Sequence, residues 1–273
     1  MTTIKTLPTY DPTLFEGAAE GYAQYRTKYP PVVFAKLAEI FNLNGQGRLL
    51  DLGCGPGLIA IPFGEYFEEV VAVDPDPDMI KEAQRQATAI QANNITWLNQ
   101  GAELIDSSLG TFRLTTIGRA FHWMQRELVL ERLYPLLSDD GGIALLNTNE
   151  NPWESQLPWK QAAIGVVKKW LGEQRRTGQR GQGVRKPVDP PHQVVIANSA
   201  FARQELFEVP FEKTWTVSSY LGYLYTTAFA LKIFFGDNAP AFEADLQEAL
   251  LAVEPSGEFT EEIKVTILAV WKR

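Results

Sequence analysis

The chain has 273 residues, 45% of them hydrophobic, a formal net charge of −8 and a single cysteine, Cys54. That length can bury a sizeable core without cross-links, as one large domain or a domain with a cap. The acidic balance disfavours nucleic acid and anionic membrane as partners, and one cysteine excludes an internal disulfide and fits a reducing, cytoplasmic setting. No basic segment followed by an apolar core opens the chain, so no signal peptide is expected. The greasiest stretch, Tyr220 to Phe235, contains Thr226, Thr227 and Lys232, and is too short and too polar to span a bilayer. A small-molecule partner is the better expectation.

The first forty-odd residues read as helical. Asp11 to Tyr25 carries aromatics and small residues; Pro30-Pro31 then opens a helix in which Val33, Phe34, Leu37, Ile40 and Phe41 recur at helical spacing. Asn44, Gly45 and Gly47 stop it. The chain then alternates between strands and helices. Strands are predicted at Arg48–Leu52, Val70–Val73, Ile95–Leu98, Phe112–Ile117 and Ile143–Asn147. The helix after Gly57 should be delayed or kinked by Pro62. Asp76 with Pro77 forms a helix start, and Met79, Ile80, Ala83, Ala87 and Ile90 give that helix its buried stripe. A helix near Glu127–Tyr134 precedes a turn at Ser138–Gly142. Alternation of this length predicts an α/β fold, a Rossmann-like, mostly parallel sheet with helices on both faces.

The pattern breaks after Thr148. Residues 151–205 read as helical and Pro-interrupted, with a Gly/Arg-rich stretch from Arg175 to Lys186 expected to be a solvated loop. An extended run at Phe207–Val217, helices at Tyr220–Phe235 and Ala241–Val253, and a last strand at Glu262–Trp271 follow. The expected organisation is an N-terminal helical segment at 1–45 that covers a core at 46–150. Residues 151–205 and about 218–235 form a helical lid or substrate region, and 206–217 with 236–273 complete the sheet.

The most informative residues are Leu49 to Gly57, LLDLGCGPG. An apolar strand runs into Asp51; Gly53, Gly55 and Gly57 then alternate through a tight turn whose backbone can approach a ligand. Asp74 ends the next strand about twenty residues on, where a carboxylate can accept both hydroxyls of a ribose. The glycine spacing, D-x-G-x-G-x-G, is not the dinucleotide G-x-G-x-x-G.

With YAQYRTKYP (Tyr22–Pro30), VVAVDPDPDMI (Val70–Ile80), QGAEL (Gln100–Leu104) and AFHWM (Ala120–Met124) in order, the chain resembles the class I S-adenosylmethionine-dependent methyltransferases, on the small-molecule branch. The resemblance covers roughly residues 15–150 and the final strand. It implies a seven-stranded sheet of order 3-2-1-4-5-7-6 with strand seven antiparallel, and S-adenosyl-L-methionine as cofactor. Its cofactor-binding candidates are Tyr22, Arg26, Asp51, Gly53, Cys54, Gly55, Gly57, Asp74, Pro75, Met79, Ala102, Glu103 and Gly118. Amides after the first strand and the Asp74 carboxylate are expected to grip the cofactor, and Arg26 to meet its methionine carboxylate. Cys54 reads as a small side chain rather than a nucleophile. One departure stands out: strand four opens Phe112-Arg113 where the family has Phe-Asp.

On the acceptor side, His122 follows strand four at the carboxyl edge of the sheet and is the candidate catalytic base. His122, Trp123, Trp153, Tyr220 and Tyr223 are the substrate-binding candidates; aromatic stripes also form cores. The Arg175–Lys186 run could hold an anion, and His192 reads as a loop residue. The expected reaction is methyl transfer to a nitrogen, oxygen or carboxylate of a small, hydrophobic or aromatic metabolite, by a monomer or homodimer, with no metal. The alternatives are carbon methylation or lipid cyclopropanation, a nicotinamide-dependent oxidoreductase, and a non-catalytic cofactor-binding protein.

Overall fold

A computed structural model describes residues 10–178, 181–201 and 203–272; the first nine residues of the expected N-terminal segment, and 179–180 of the Gly/Arg-rich stretch, lie outside them. Seven strands form one sheet: β1 (Arg48–Leu52), β2 (Glu69–Asp74), β3 (Ile95–Asn99), β4 (Phe112–Gly118), β5 (Leu137–Thr148), β8 (Arg203–Thr216) and β9 (Glu258–Trp271). Their order is β3-β2-β1-β4-β5-β9-β8. The first five are parallel; β9 runs antiparallel to both β5 and β8. This is the predicted order and orientation.

The central strands are buried on both faces, as a parallel sheet requires, yet period-two alternation still sorts them. Leu49, Leu114, Ala144 and Ile267 face one core with Phe34, Leu37 and Phe63. Leu50, Leu52, Ile117 and Val270 face the other with Leu130 and Leu133. Helices α1 (Ala19–Tyr25), α2 (Pro31–Ile40), α4 (Pro77–Ala89) and α5 (Arg126–Leu136) stand near their predicted places. Residues 12–17 are turns rather than helix. Asp76 caps α4, accepting the amides of Asp78 and Met79 at 2.9 and 3.3 Å.

Pro62 shortens the helix after the glycine turn to α3, Ala60–Phe63. Arg113, the departure in strand four, is a latch. It donates to the carbonyls of Phe41 (2.6 Å) and Asp140, and pairs with the Asp140 carboxylate at 3.2 Å. The register between β4 and β5 shifts at this point, so the predicted turn at 138–142 becomes the irregular entry to a longer β5.

Beyond Thr148 the expected helical block is more mixed. It holds α6 (Pro158–Leu171), a hairpin of β6 (Arg176–Thr177) and β7 (Gly183–Val184), and α7 (His192–Ala197). The stretch expected as a plain loop therefore carries a hairpin. His192 opens α7 instead of lying in a loop. The helix expected at 220–235 is α8, Val217–Tyr225, started by a reciprocal Thr216–Ser219 capping box. Short 3-10 turns lead from it to α9, Ala239–Val253. A third core, built on Trp159, Trp215, Tyr220, Phe242 and Phe259, holds these helices together. Lys160 of α6 is 2% exposed and ion-paired to Glu261 of β9, whose other oxygen accepts the Trp215 indole N–H at 2.7 Å.

Candidate functional site

The carboxyl ends of β1, β2 and β4 open onto a cleft of about 780 Å3. At its floor, the turn after β1 takes positive φ at Gly53 (65°) and Gly55 (53°). A Cβ on Gly53 would stand 2.5 Å from the Cβ of Ala120, whereas one on Gly55 meets nothing within 4 Å. The amides of this turn face inward: Gly53 and Cys54 donate to the Val73 carbonyl at 2.8 and 3.1 Å, and Gly55 donates to Asp74 Oδ2 at 2.8 Å. The amides expected to grip a ligand are bonded within the protein in this structure. The glycines supply close approach, and their amides hold β1 to β2.

Asp74 takes a second amide, that of Asp76, at 2.9 Å on Oδ1. Burial pushes its carboxyl up to about 6 despite those two bonds. A largely desolvated carboxylate at the edge of a cleft is suited to hydroxyl donors. Pro75, Met79, Gly101, Ala102 and Gly118 line the same cleft. Glu103 lines it too, while its Oε1 accepts the Gln125 amide at 2.8 Å.

Three other candidates sit beneath the cleft. Asp51 is 1% exposed; it accepts the Thr116 hydroxyl at 2.8 Å and the Ala60 amide at 3.1 Å, capping α3 from β1. Burial raises it to about 7. Cys54 is buried, and burial pushes its thiol up, away from a nucleophile. Gly57 lies outside the lining of the cleft; a Cβ there would strike Ile61 at 2.6 Å.

A smaller cavity of about 250 Å3 adjoins the cleft, and Phe15, Tyr22, Arg119, Trp123 and Thr177 line both. Its wall carries Arg26, Arg119, Arg175, Arg176, Arg185, His122 and His192, with Glu150 as its one carboxylate among the described residues. Arg26 thus lines this second cavity rather than the cleft where the resemblance placed it. Tyr223 lines it as well, its hydroxyl donating to the Glu150 carbonyl at 3.2 Å. Trp153 and Tyr220 do not reach it. Trp153 packs edge-on to Phe229 (5.8 Å), and Tyr220 stacks on Tyr223 (5.5 Å) inside the third core.

His122 lines this cavity with its ring 4.7 Å from that of Trp123. Burial first, then Arg185, His192, Arg175 and Arg126, push its imidazole down to about 3. Burial and the neighbouring arginines disfavour the charged imidazole of His122, which argues against the expected general-base role in this structure.

Sequence reasoning missed Arg119. It follows Gly118 with φ 55°, donates to the Thr27 carbonyl at 3.2 Å and stands 3.7 Å from Glu150. The Phe112–Gly118 strand end was the signal, since side chains just beyond such strands face the ligand crevice. Tyr10, Asp11, Leu14 and Phe15 also line the cleft from the N-terminal segment. Tyr10 donates to Asp76 Oδ2 at 2.6 Å.

Residues 49–141 match the methyltransferase-domain family. An uncharacterized methyltransferase of Schizosaccharomyces pombe is 26% identical over 153 residues, 55% of this chain and 57% of that one. The ubiquinone biosynthesis O-methyltransferase of Nitrobacter winogradskyi is 28% identical over 134 residues, 49% of this chain and 48% of that one. The chain spans about half the length of the curated relatives it matches. Among solved structures, a proposed type II methyltransferase of Anaeromyxobacter dehalogenans superposes with a TM-score of 0.62 at 21% identity, covering 91% of this chain and 98% of that one. A Thiobacillus denitrificans S-adenosylmethionine-dependent methyltransferase in complex with S-adenosyl-L-homocysteine gives 0.51 at 13% identity, covering 93% and 96%. Those two likenesses bear on the fold.

The match over residues 49–141, the strand order and the glycine turn with its paired carboxylate together support a methyltransferase domain of the class I, S-adenosylmethionine-dependent kind. Among the described residues, no group of three His, Cys, Asp or Glu side chains is placed to hold a metal. No described helix is long and apolar enough to cross a membrane.

Proposed function

We propose that the chain transfers a methyl group from S-adenosylmethionine to a nitrogen, oxygen or carboxylate oxygen of a small molecule seated in the smaller cavity. The observation that carries this reading is the junction: a cleft floored by Gly53, Gly55 and Asp74 meets a second chamber across Phe15, Tyr22, Arg119, Trp123 and Thr177. When bound, the cofactor supplies an electrophilic methyl on a sulfonium.

The protein's task is then to orient an acceptor and exclude water. Asp74 accepts the ribose hydroxyls. Met79, Ala102 and Pro75 cover the adenine, with Glu103 at its edge. Gly53, Gly55 and Gly118 allow the backbone to lie against the methionine end, and Tyr22 and Trp123 frame the opening to the acceptor. His122 and Tyr223 are walls of the acceptor chamber.

Calorimetry with S-adenosylhomocysteine, followed by methyl-labelled donor and a panel of small acceptors read by mass, tests the reading. Binding of S-adenosylhomocysteine with label in a small product supports it. Failure to bind S-adenosylhomocysteine overturns it.

A further inference from the structure

The acceptor chamber is strongly cationic in a chain whose formal net charge is −8. Its arginines are poorly matched inside the protein. Arg26 donates only to the Thr226 carbonyl, at 3.3 Å, and its buried Nε has no partner. Arg175 donates to the Asn151 amide oxygen at 3.1 Å and lies over the Phe229 ring; Arg185 lies over the Trp123 ring at 4.8 Å. No carboxylate among the described residues forms an ion pair with Arg26, Arg175 or Arg185. Arg119, which faces both chambers, leaves Nε and Nη1 buried without a hydrogen bond. Arg176 is different: its guanidinium is spent on the carbonyls of Leu171 and Gly181.

Gathering like charges in a half-buried chamber is costly, and an anion relieves the cost. One such cation would serve the carboxylate of the methionine end, and Arg119, on the shared wall, is placed for it. Arg26, Arg175 and Arg185 remain on the acceptor side. Planar guanidiniums on aromatic faces leave their N–H edges free for the two-pronged geometry of a carboxylate.

We propose that the acceptor is a small organic acid with at least two carboxylates, gripped by Arg26, Arg175 and Arg185, and that one carboxylate oxygen is the methylated atom. The proposal rests on the methyltransferase reading above and names its substrate class. In the step, a lone pair of the carboxylate oxygen forms the new O–CH3 bond while the S–CH3 bond breaks and its electron pair stays on sulfur. The products are a methyl ester and S-adenosylhomocysteine, and no proton moves. The chemistry therefore needs no base, which agrees with a chamber whose two histidines sit among arginines. A second carboxylate, held by the other arginines, fixes which oxygen faces the methyl.

The test uses the full chain saturated with S-adenosylhomocysteine and titrated with citrate, succinate, their neutral methyl esters, and glycerol 3-phosphate. Citrate or succinate should bind and the esters should not. Arg175→Gln and Arg185→Gln should each weaken acid binding by about tenfold or more while leaving S-adenosylhomocysteine affinity within about twofold. With labelled donor, product from an acid of this class should be alkali-labile and heavier by one methylene. Loss of S-adenosylhomocysteine binding would instead indict the parent reading. The proposal fails if S-adenosylhomocysteine binds but neither acid does, if glycerol 3-phosphate outcompetes both, or if both arginine variants bind acid as the parent does. Thermal melts of the two variants separate misfolding from lost recognition, and Arg26→Gln provides a third reading from a different element.

Discussion

Asp74 receives the Gly55 amide on one oxygen and the Asp76 amide on the other, so a single carboxylate ties the turn after β1 to the start of α4. Its position in the cleft leaves the remaining lone pairs for a diol. Asp74→Asn keeps the size and one internal bond but loses the charge. It should weaken S-adenosylhomocysteine by about 3 kcal/mol, on the order of a hundredfold in Kd, with a smaller change in melting temperature. Calorimetry and a thermal melt on the same preparation check both halves.

The same carboxylate makes binding pH-dependent. Its folded value of about 6, and that of Asp51 of about 7, both lie above the ordinary 3.8 because burial disfavours the charged form. Raised acid groups bind more protons folded than unfolded. Their contribution to stability is therefore fully present below about pH 4 and is lost as pH rises through about 6 to 7. Cofactor affinity should move the opposite way, falling as pH drops below about 6 because a protonated Asp74 accepts ribose hydroxyls less well. Urea unfolding and S-adenosylhomocysteine titration from pH 5 to 8 should show these opposed slopes, and Asp74→Asn should flatten the binding slope.

His122 offers a spectroscopic test. Held neutral by burial and by Arg185 and Arg175, its ring should not titrate between pH 5 and 8 in the free protein. Occupation of the chamber by an anion should move its ring resonances and raise its pKa, because the new charge screens those arginines. His122→Ala should spare cofactor binding. A ring that titrates near its ordinary value would refute the cationic description of the chamber.

Gly53 and Gly45 form a matched pair. Both take positive φ, 65° and 84°, but a Cβ on Gly53 collides with Ala120 while one on Gly45 meets open space. Gly45→Ala should cost about 1–2 kcal/mol for the left-handed backbone alone. Gly53→Ala should add about 1–3 kcal/mol of overpacking and also lower cofactor affinity. Chemical denaturation of both variants separates strain from collision.

Lys160 and Glu261 are buried together, with Trp215 donating to the same carboxylate. Removing one partner leaves an uncompensated charge, so Lys160→Met or Glu261→Leu alone should cost about 3–5 kcal/mol. The double substitution should recover a large part of that loss, as measured by a double-mutant cycle in urea.

Most of the sheet was legible because each strand is an apolar run closed by glycine, proline or acidic punctuation. β1 was read to the residue; β3 and β4 ran one residue further than their apolar cores. The hairpin at Arg176–Thr177 and Gly183–Val184 was not legible, since two-residue strands carry no periodicity. α8 was misplaced because the greasy run to Phe235 continues past its end: after Tyr225, Thr226 and Thr227 turn their hydroxyls back onto the carbonyls of Tyr223 and Leu224.

The floor of the larger cleft was readable because Gly53, Gly55 and Asp74 are close in sequence and regular in spacing. The smaller, arginine-lined cavity was not. Arg26, Arg119, Arg175 and Arg185 come from separate segments, and spacing says nothing about side chains that only folding brings together. Trp153 and Tyr220 show the reverse ambiguity: an aromatic ring suits a core as well as a pocket, and both went to the core.

The ribbon of β8 and β9 pairs over 14 residues, from Arg203↔Trp271 to Thr216↔Glu258, while β5 accompanies it only from Trp271 to Val265. Its far half is a cantilever, with Trp215, Phe259 and Glu261 anchoring the helical cluster at the overhanging end. Because neighbouring residues on a strand point to opposite sides, trimming one pair from the arm would turn those anchors away from their seats, whereas trimming two would only draw them inward. The seat of the helical cluster on this arm is therefore adjustable only in steps of two residues, which makes arm length a quantised parameter for redesign.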